Sequence, residues 1–162
     1  MIMNANPSMF KGDDLPVENV SIEDCEMFIS RLNKMSGKRY RLPTRKEWLK
    51  AATGSEDVML EDGKKTSMKE GADFTAEAWY NRNSSSQTHE VGRKRPNLYG
   101  LYDVNGNVQE WCVNDDTSIK GEYLACGGAY DCDEIRLLME SVITANKGDR
   151  SSTCGFRLVL DN

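Results

Sequence analysis

A single histidine, His89, is the only imidazole in this 162-residue chain. Any Ser/His/acid or Cys/His nucleophilic device would have to use it. Its neighbourhood, "SSSQTHEVG", supplies nothing to orient it, so His89 reads as a polar residue at the edge of a strand. No apolar run approaches the roughly 20 residues a membrane span requires. The opening "MIMNANPSMF" has neither the charged region nor the apolar stretch of a signal peptide, which gives a cytoplasmic expectation by default. Basic residues number 21 against 26 acidic ones, a net charge of -5. The one basic cluster, "GRKRPN" at 92–97, is too short to track phosphates, so nucleic acid is not an expected partner. The five cysteines (Cys25, Cys112, Cys126, Cys132 and Cys154) form no C-x-x-C pair, and their odd count leaves at least one thiol unpaired. Free buried thiols are expected, with a Cys126–Cys132 or Cys132–Cys154 bridge left open. Neither an internal repeat nor a linker is visible, so residues 1–162 are expected to form one domain.

Two helices are readable. In "SIEDCEMFISRLNKMSG", Ser21 is the N-cap, with Asp24 as a weaker version of the capping-box acid. Ile22, Cys25, Phe28, Ile29, Leu32 and Met35 make one apolar face, and Gly37 ends the run. In "LPTRKEWLKAATG", Thr44 and Glu47 form a T-x-x-E capping box, and Gly54 closes the helix. Residues 54–75 are charged and aperiodic, a long surface loop. Short strands are expected at 89–91, 108–112, 123–126, 136–139, 142–144 and 155–160, between clusters of Gly, Asn, Asp and Ser. The sum is an α+β domain with an antiparallel sheet.

Two stretches carry chemistry. "DVNGNVQE" offers the oxygens of Asp103, Asn105, Asn107 and Glu110, hard ligands of the kind calcium takes. The spacing is too short for an EF-hand, and Asn105-Gly106 is equally a strong type I′ hairpin signal. "CGGAYDC" places two glycines after a strand, a sign of close backbone approach. Asp131, Asp133 and Glu134 surround Cys132 and would raise its pKa, which favours an inert thiol.

In order along the chain, "NPSMFKGDDLPVENVSIEDCEMF", "YRLPTRKEWLKAA", "AWYNRNSSSQTHEVGRKRPNLYGLYDVNGNVQEWC", "GGAYDC" and "CGFRLV" resemble successive blocks of the formylglycine-generating-enzyme, or sulfatase-modifying-factor, family. The resemblance covers nearly the whole chain and implies a C-type-lectin-like fold, irregular and loop-rich. The family's enzymes oxidise a sulfatase cysteine to formylglycine through two copper-binding cysteines. The matching segment here, "GGAYDCDEIRLLMES", aligns Cys132 with the first and puts Leu137 at the second. One thiolate cannot supply the paired soft site that copper(I) prefers, so copper is not expected and formylglycine formation is expected to be absent. The resemblance also implies a calcium site formed by Asp103, Glu110 and the carbonyls of Gly106 and Val108. A second family calcium site lies near "AWYNRNSSS", without ligands that can be matched here.

The resemblance leaves two expectations for function. The first is a non-catalytic, calcium-stabilised module that binds a protein or glycan through the segment before "GFRLV". Its contacts would be Tyr130, Asp131, Asp133, Glu134, Arg136, Asn146, Asp149 and Arg150. That segment lacks the asparagine-rich bias of diversified receptor-binding proteins. The alternative is an oxidoreductase of the formylglycine-generating type, or a degenerate relative acting through Cys132. Family domains carry a further strand before "NPS-x-F", which pairs with the last strand. With five residues there, the expectation is either a shortened domain or a strand near 156–160 that exposes an edge suited to self-association.

Overall fold

A computed structural model describes residues 2–53, 74–115, 119, 121–137 and 142–161. The first helix, α1 (Ile22–Ser36), begins with a full reciprocal capping box: the Asp24 amide donates to Ser21 Oγ at 3.2 Å and the Ser21 amide to Asp24 Oδ2 at 2.8 Å. Aspartate therefore performs the role usually given to glutamate. Gly37 terminates the helix at φ +69°, its amide donating to the Asn33 carbonyl. Ile22 and Cys25 are buried, whereas Met35, expected on the apolar face, is 70% exposed because the last turn runs beyond the core.

The chain then forms β1 (Arg39–Arg41) and α2 (Arg45–Thr53). The expected Thr44–Glu47 box caps α2, with bonds of 2.8 and 3.2 Å. Gly54, the expected stop, lies outside the described residues, as does nearly all of the 54–75 stretch expected to be a surface loop. The last carbonyls of α2 are instead met by Asn97, whose amide donates to Ala51 and Ala52.

A short helix, α3 (Phe74–Glu77), precedes a four-stranded sheet made of β2 (Gln109–Val113), β3 (Tyr123–Cys126), β4 (Val142–Ala145) and β5 (Cys154–Gly155), in the order β4-β3-β2-β5. The β2–β3 and β3–β4 pairs are antiparallel, and β2–β5 is parallel. Because strand side chains alternate, the sheet feeds two cores. Trp111, Tyr123 and Ala125 pack with Ile22 and Cys25 of α1, and Cys112, Leu124 and Cys126 pack with Trp48, Leu49 and Ala52 of α2.

The last strand, β6 (Val159–Asp161), pairs antiparallel with β1 rather than joining this sheet. The expected 155–160 strand is thus divided between two sheets. Arg41 fastens that corner, bonding Glu47 at 2.6 Å and Asp161 at 2.9 Å. Two other expected strands do not form among the described residues. Residues 89–91 form no strand, and Glu134–Leu137 is a short 3₁₀ helix, with 138–140 outside the described residues. All five cysteines are free and buried, so neither candidate bridge is present. Among the described residues, no helix is long and apolar enough to cross a membrane.

Candidate functional site

The block 103–110 is not the hairpin that Asn105-Gly106 suggests. A type I′ turn needs positive φ at both central residues. Here Gly106 has φ +80°, and the non-glycine residues of the block with positive φ are Asp103 and Asn107. Distant backbone holds the block open instead. The Gly106 amide donates to the Gly127 carbonyl at 2.8 Å, and the Asn107 amide to Trp79 at 2.8 Å. A Cβ at Gly106 would lie 2.3 Å from the Trp79 carbonyl oxygen. Gly127 likewise has no room for a side chain, between Val104 and the Trp48 ring.

The two acids of the block have different surroundings. Glu110 is 5% exposed, and its carboxylate is engaged at both oxygens. Trp48 Nε1 and Arg157 Nε donate to Oε2 at 2.7 and 2.8 Å, and Arg157 Nη2 donates to Oε1 at 2.7 Å. Arg157 Nη2 also reaches the Tyr102 carbonyl at 3.0 Å. Asp103 accepts the Gly92 amide through Oδ2 at 2.7 Å, but its Oδ1 is buried without a partner, and so is Asn105 Oδ1. Burial pushes the Asp103 carboxyl above its ordinary range, opposed by the Gly92 bond and by Arg157. Gly106 and Val108 complete the expected ligand set, Val108 being buried. Among the described residues, no three His, Cys, Asp or Glu side chains gather as a metal-binding group, so a cation here would depend on amide and carbonyl oxygens as well. Asp103, Val108, Glu110 and Arg157 line a cleft of about 450 Å³ with apolar residues such as Val17 and Phe156.

Sequence reasoning missed several residues of this region. Arg157 lies 47 positions from Glu110, and Trp48 lies 62 away. Asn107 was read as an oxygen ligand but works as a clamp, accepting the His89 amide at 3.0 Å and donating to the His89 carbonyl at 2.9 Å. His89, read as a strand-edge residue, stacks on Trp79 with centroids 3.8 Å apart.

The Cys132 thiol is buried in its own turn. Its sulfur accepts the Ala129 amide at 3.3 Å, and burial, with Asp131 adding to it, pushes its pKa up. Leu137 is fully buried against Ala78 and Tyr80. The eight expected contact residues fall into two groups. In the first, Asp131, Asp133 and Arg136 are exposed, and Glu134 pairs with Arg82 at 2.9 Å. Tyr130 is only 6% exposed, set edge-on against Phe10. In the second, Asn146 and Asp149 close a turn with a 2.7 Å bond, and Arg150 pairs with Asp24 at the start of α1. Tyr130 links the groups through a 3.3 Å contact between its hydroxyl and Ser152.

Comparison with known proteins gives a family and a fold. The family model described as "Sulfatase-modifying factor enzyme 1-like domain" matches residues 3–162. "Treponema denticola variable protein 1" superposes with a TM-score of 0.83 at 27% identity, over 97% of this chain and 78% of that one. The structure described as CarF gives 0.71 at 29% identity, covering 94% and 69%. PvdO from Pseudomonas aeruginosa gives 0.75 at 22% identity, covering 94% and 64%, a likeness of fold. A curated protein of Paenibacillus barcinonensis, "Chaperone protein LppX", is 28% identical, with 68% of this chain aligned. The chain spans 56% of the length of that relative.

Proposed function

The chain belongs to the sulfatase-modifying factor family, with its C-type-lectin-like α+β fold, and we propose that it acts as a non-catalytic binding module steadied by calcium. One observation carries this reading: the condition of the two positions where the family's oxidase cysteines stand. Formylglycine chemistry draws on a pair of thiolates that can hold copper(I). At the first position Cys132 is a buried thiol whose pKa burial raises, so it stays protonated at neutral pH. At the second, Leu137 is a core side chain. Two of the similar chains are called a variable protein and a chaperone protein, names that describe no oxidation.

The binding surface of this proposal is the segment 130–153. Asp131, Asp133, Glu134 and Arg136 form one patch and Asn146, Asp149 and Arg150 the other, while Tyr130 is buried against Phe10 and touches Ser152 through its hydroxyl. A protein or a glycan is the ligand. Calcium fits the 103–110 block in part. Asp103 Oδ1 and Asn105 Oδ1 are buried hard oxygens with no partner. The Gly106 and Val108 carbonyls are the neutral ligands. Glu110 joins through Oε1, which accepts one bond, while Oε2 already accepts two. Arg157 offsets one of the two acidic charges, so the site is weak, with Kd on the order of 10⁻⁴–10⁻³ M.

The test is direct. The purified chain, loaded with copper(I) and supplied with a sulfatase-motif peptide, is expected to yield no aldehyde, and Cys132 is expected to react slowly with thiol reagents. Aldehyde formation, or copper bound stoichiometrically at Cys132, overturns the reading in favour of an oxidoreductase.

A further inference from the structure

A second cleft, of about 550 Å³, shares no lining residue with the cleft at Asp103 and Glu110, although Asn107 holds its Trp79 and His89 from that side. Its lining joins the apolar side chains of Met9, Phe10 and Leu15 to Trp79, Thr88 and Lys11. Two buried polar atoms of those residues, Trp79 Nε1 and Thr88 Oγ1, have no hydrogen-bond partner, and Thr88 as a whole is only 4% exposed. Glu18 Oε2, Asp103 Oδ1 and Asn105 Oδ1 are also buried without partners, but Trp79 is the exception among the three indoles. The other two indoles are both satisfied, Trp48 by Glu110 at 2.7 Å and Trp111 by the Val20 carbonyl at 2.9 Å. Unpaired buried donors are uncommon and call for an explanation.

The cleft is preorganised. The His89 ring stacks on Trp79 at 3.8 Å with planes 11° apart, and the Lys94 ammonium lies 3.8 Å from the centre of the same indole. Asn107 clamps the His89 backbone from both sides of its peptide unit. With its π-system so engaged, Trp79 is poorly placed to serve as a stacking platform, and its buried, unpartnered N–H is the group left unused. An indole N–H only donates, and a threonine hydroxyl without a partner is free to donate. Lys11 adds positive charge, while the charge of Arg93 is offset by Glu90 at 2.8 Å. A group that only accepts, and carries negative charge, matches that set.

We propose that this cleft binds a small carboxylate with an apolar body, the carboxylate accepting from Trp79 Nε1–H and Thr88 Oγ–H. Met9, Phe10 and Leu15 cover the apolar part. The lining includes none of the residues of the 130–153 surface, although Phe10 packs edge-on against Tyr130, and the Trp79 signal reads this cleft separately from the binding-module reading. The carboxylate is that of a free acid or of a peptide C-terminus, which share this chemistry.

The experiment is a titration of the full chain, followed through its indole N–H signals by ¹H–¹⁵N spectroscopy, with assignments made sequentially. Hexanoate is expected to move the Trp79 signal saturably and to leave those of Trp48 and Trp111 in place. Hexanamide is expected to bind about tenfold more weakly, and Thr88→Val to weaken hexanoate by about tenfold, the effect of one charge-assisted bond. Because the Thr88 hydroxyl has no partner, Thr88→Val is expected to melt no lower than the parent. An acetylated tripeptide with a free terminal leucine, compared with its amide, tells the sources apart: preference for the acid form at hexanoate-like affinity assigns a peptide terminus, and failure of both assigns a free acid. A Trp79 signal that does not saturate, equal binding of hexanamide, or undiminished binding by Thr88→Val overturns the proposal.

Discussion

Within "DVNGNVQE", the two ends of one short block differ in how completely their polar atoms are used. From Asn107 to Glu110 every functional group named above has a protein partner, and the Glu110 carboxylate accepts three bonds. From Asp103 to Asn105 two buried oxygens have none. The first end is tied into the fold: it joins α2 through Trp48, the chain before β6 through Arg157, and the 89 region through Asn107, with only Glu110 Oε1 left holding a single bond. The second end holds oxygens in place without using them. A conspicuous motif can therefore be half bonded into the fold and half unpartnered, and bond accounting separates the halves where residue types alone do not.

The sharpest way to break this contrast is at the saturated end. Arg157→Leu leaves Glu110 buried and uncompensated, and a loss of about 3–5 kcal/mol is expected in urea unfolding. Adding Glu110→Gln to that variant should recover part of the loss. Recovery of nothing would mean the charge pair is not what makes the position costly. Next in size is Gly106→Ala. Its Cβ would meet the Trp79 carbonyl at 2.3 Å and sit at positive φ, so a loss of about 3 kcal/mol is expected in urea unfolding.

The open end should behave in the opposite way. Asp103→Asn in chelator is expected to cost less than about 0.5 kcal/mol, or to stabilise, because it removes a buried charge and keeps an acceptor for Gly92. The pH dependence has a definite sign. The folded-state pKa of Asp103 is raised from 3.8, so the folded state holds the proton more tightly. Its contribution is therefore present at acid pH and lost as pH rises from that value through the folded one. Glu47 behaves oppositely and supplies a control. Arg41 holds its carboxyl down at about 2 from an ordinary 4.5, so its contribution is lost as pH falls between those values. With side chains 39% and 40% exposed, the Arg41–Glu47 pair is screened, and the Glu47→Gln effect should stay under about 1 kcal/mol.

Local patterns made much of the fold legible. Both capping boxes, the Gly37 stop and the strand 123–126 follow from spacing and residue type, and the ordered motif blocks implied the lectin-like topology. Other features depend on residues far apart, and no periodicity reports them. The β1–β6 pair joins Arg39–Arg41 to Val159–Asp161, and β1 has only three residues to announce itself. The hairpin expectation at Asn105-Gly106 failed because bonds to Trp79 and Gly127 outweigh a local turn preference. For the candidate site, Asp103 and Glu110 were visible as acids, but Glu110's engagement by Arg157 and Trp48 was not. Thr88 and Trp79 gave no signal, since an unmade hydrogen bond exists only in three dimensions.

The contrast between the two ends is tested most directly by thermal melting with and without calcium, on the parent and on Asp103→Asn. At calcium about ten times Kd the parent should gain about 1.4 kcal/mol, or roughly 4 °C, and return to its starting Tm on chelation. Asp103→Asn should show most of that gain lost while keeping its calcium-free Tm. A parent Tm indifferent to both calcium and chelator would contradict the assignment of the free Asp103 and Asn105 oxygens to a cation.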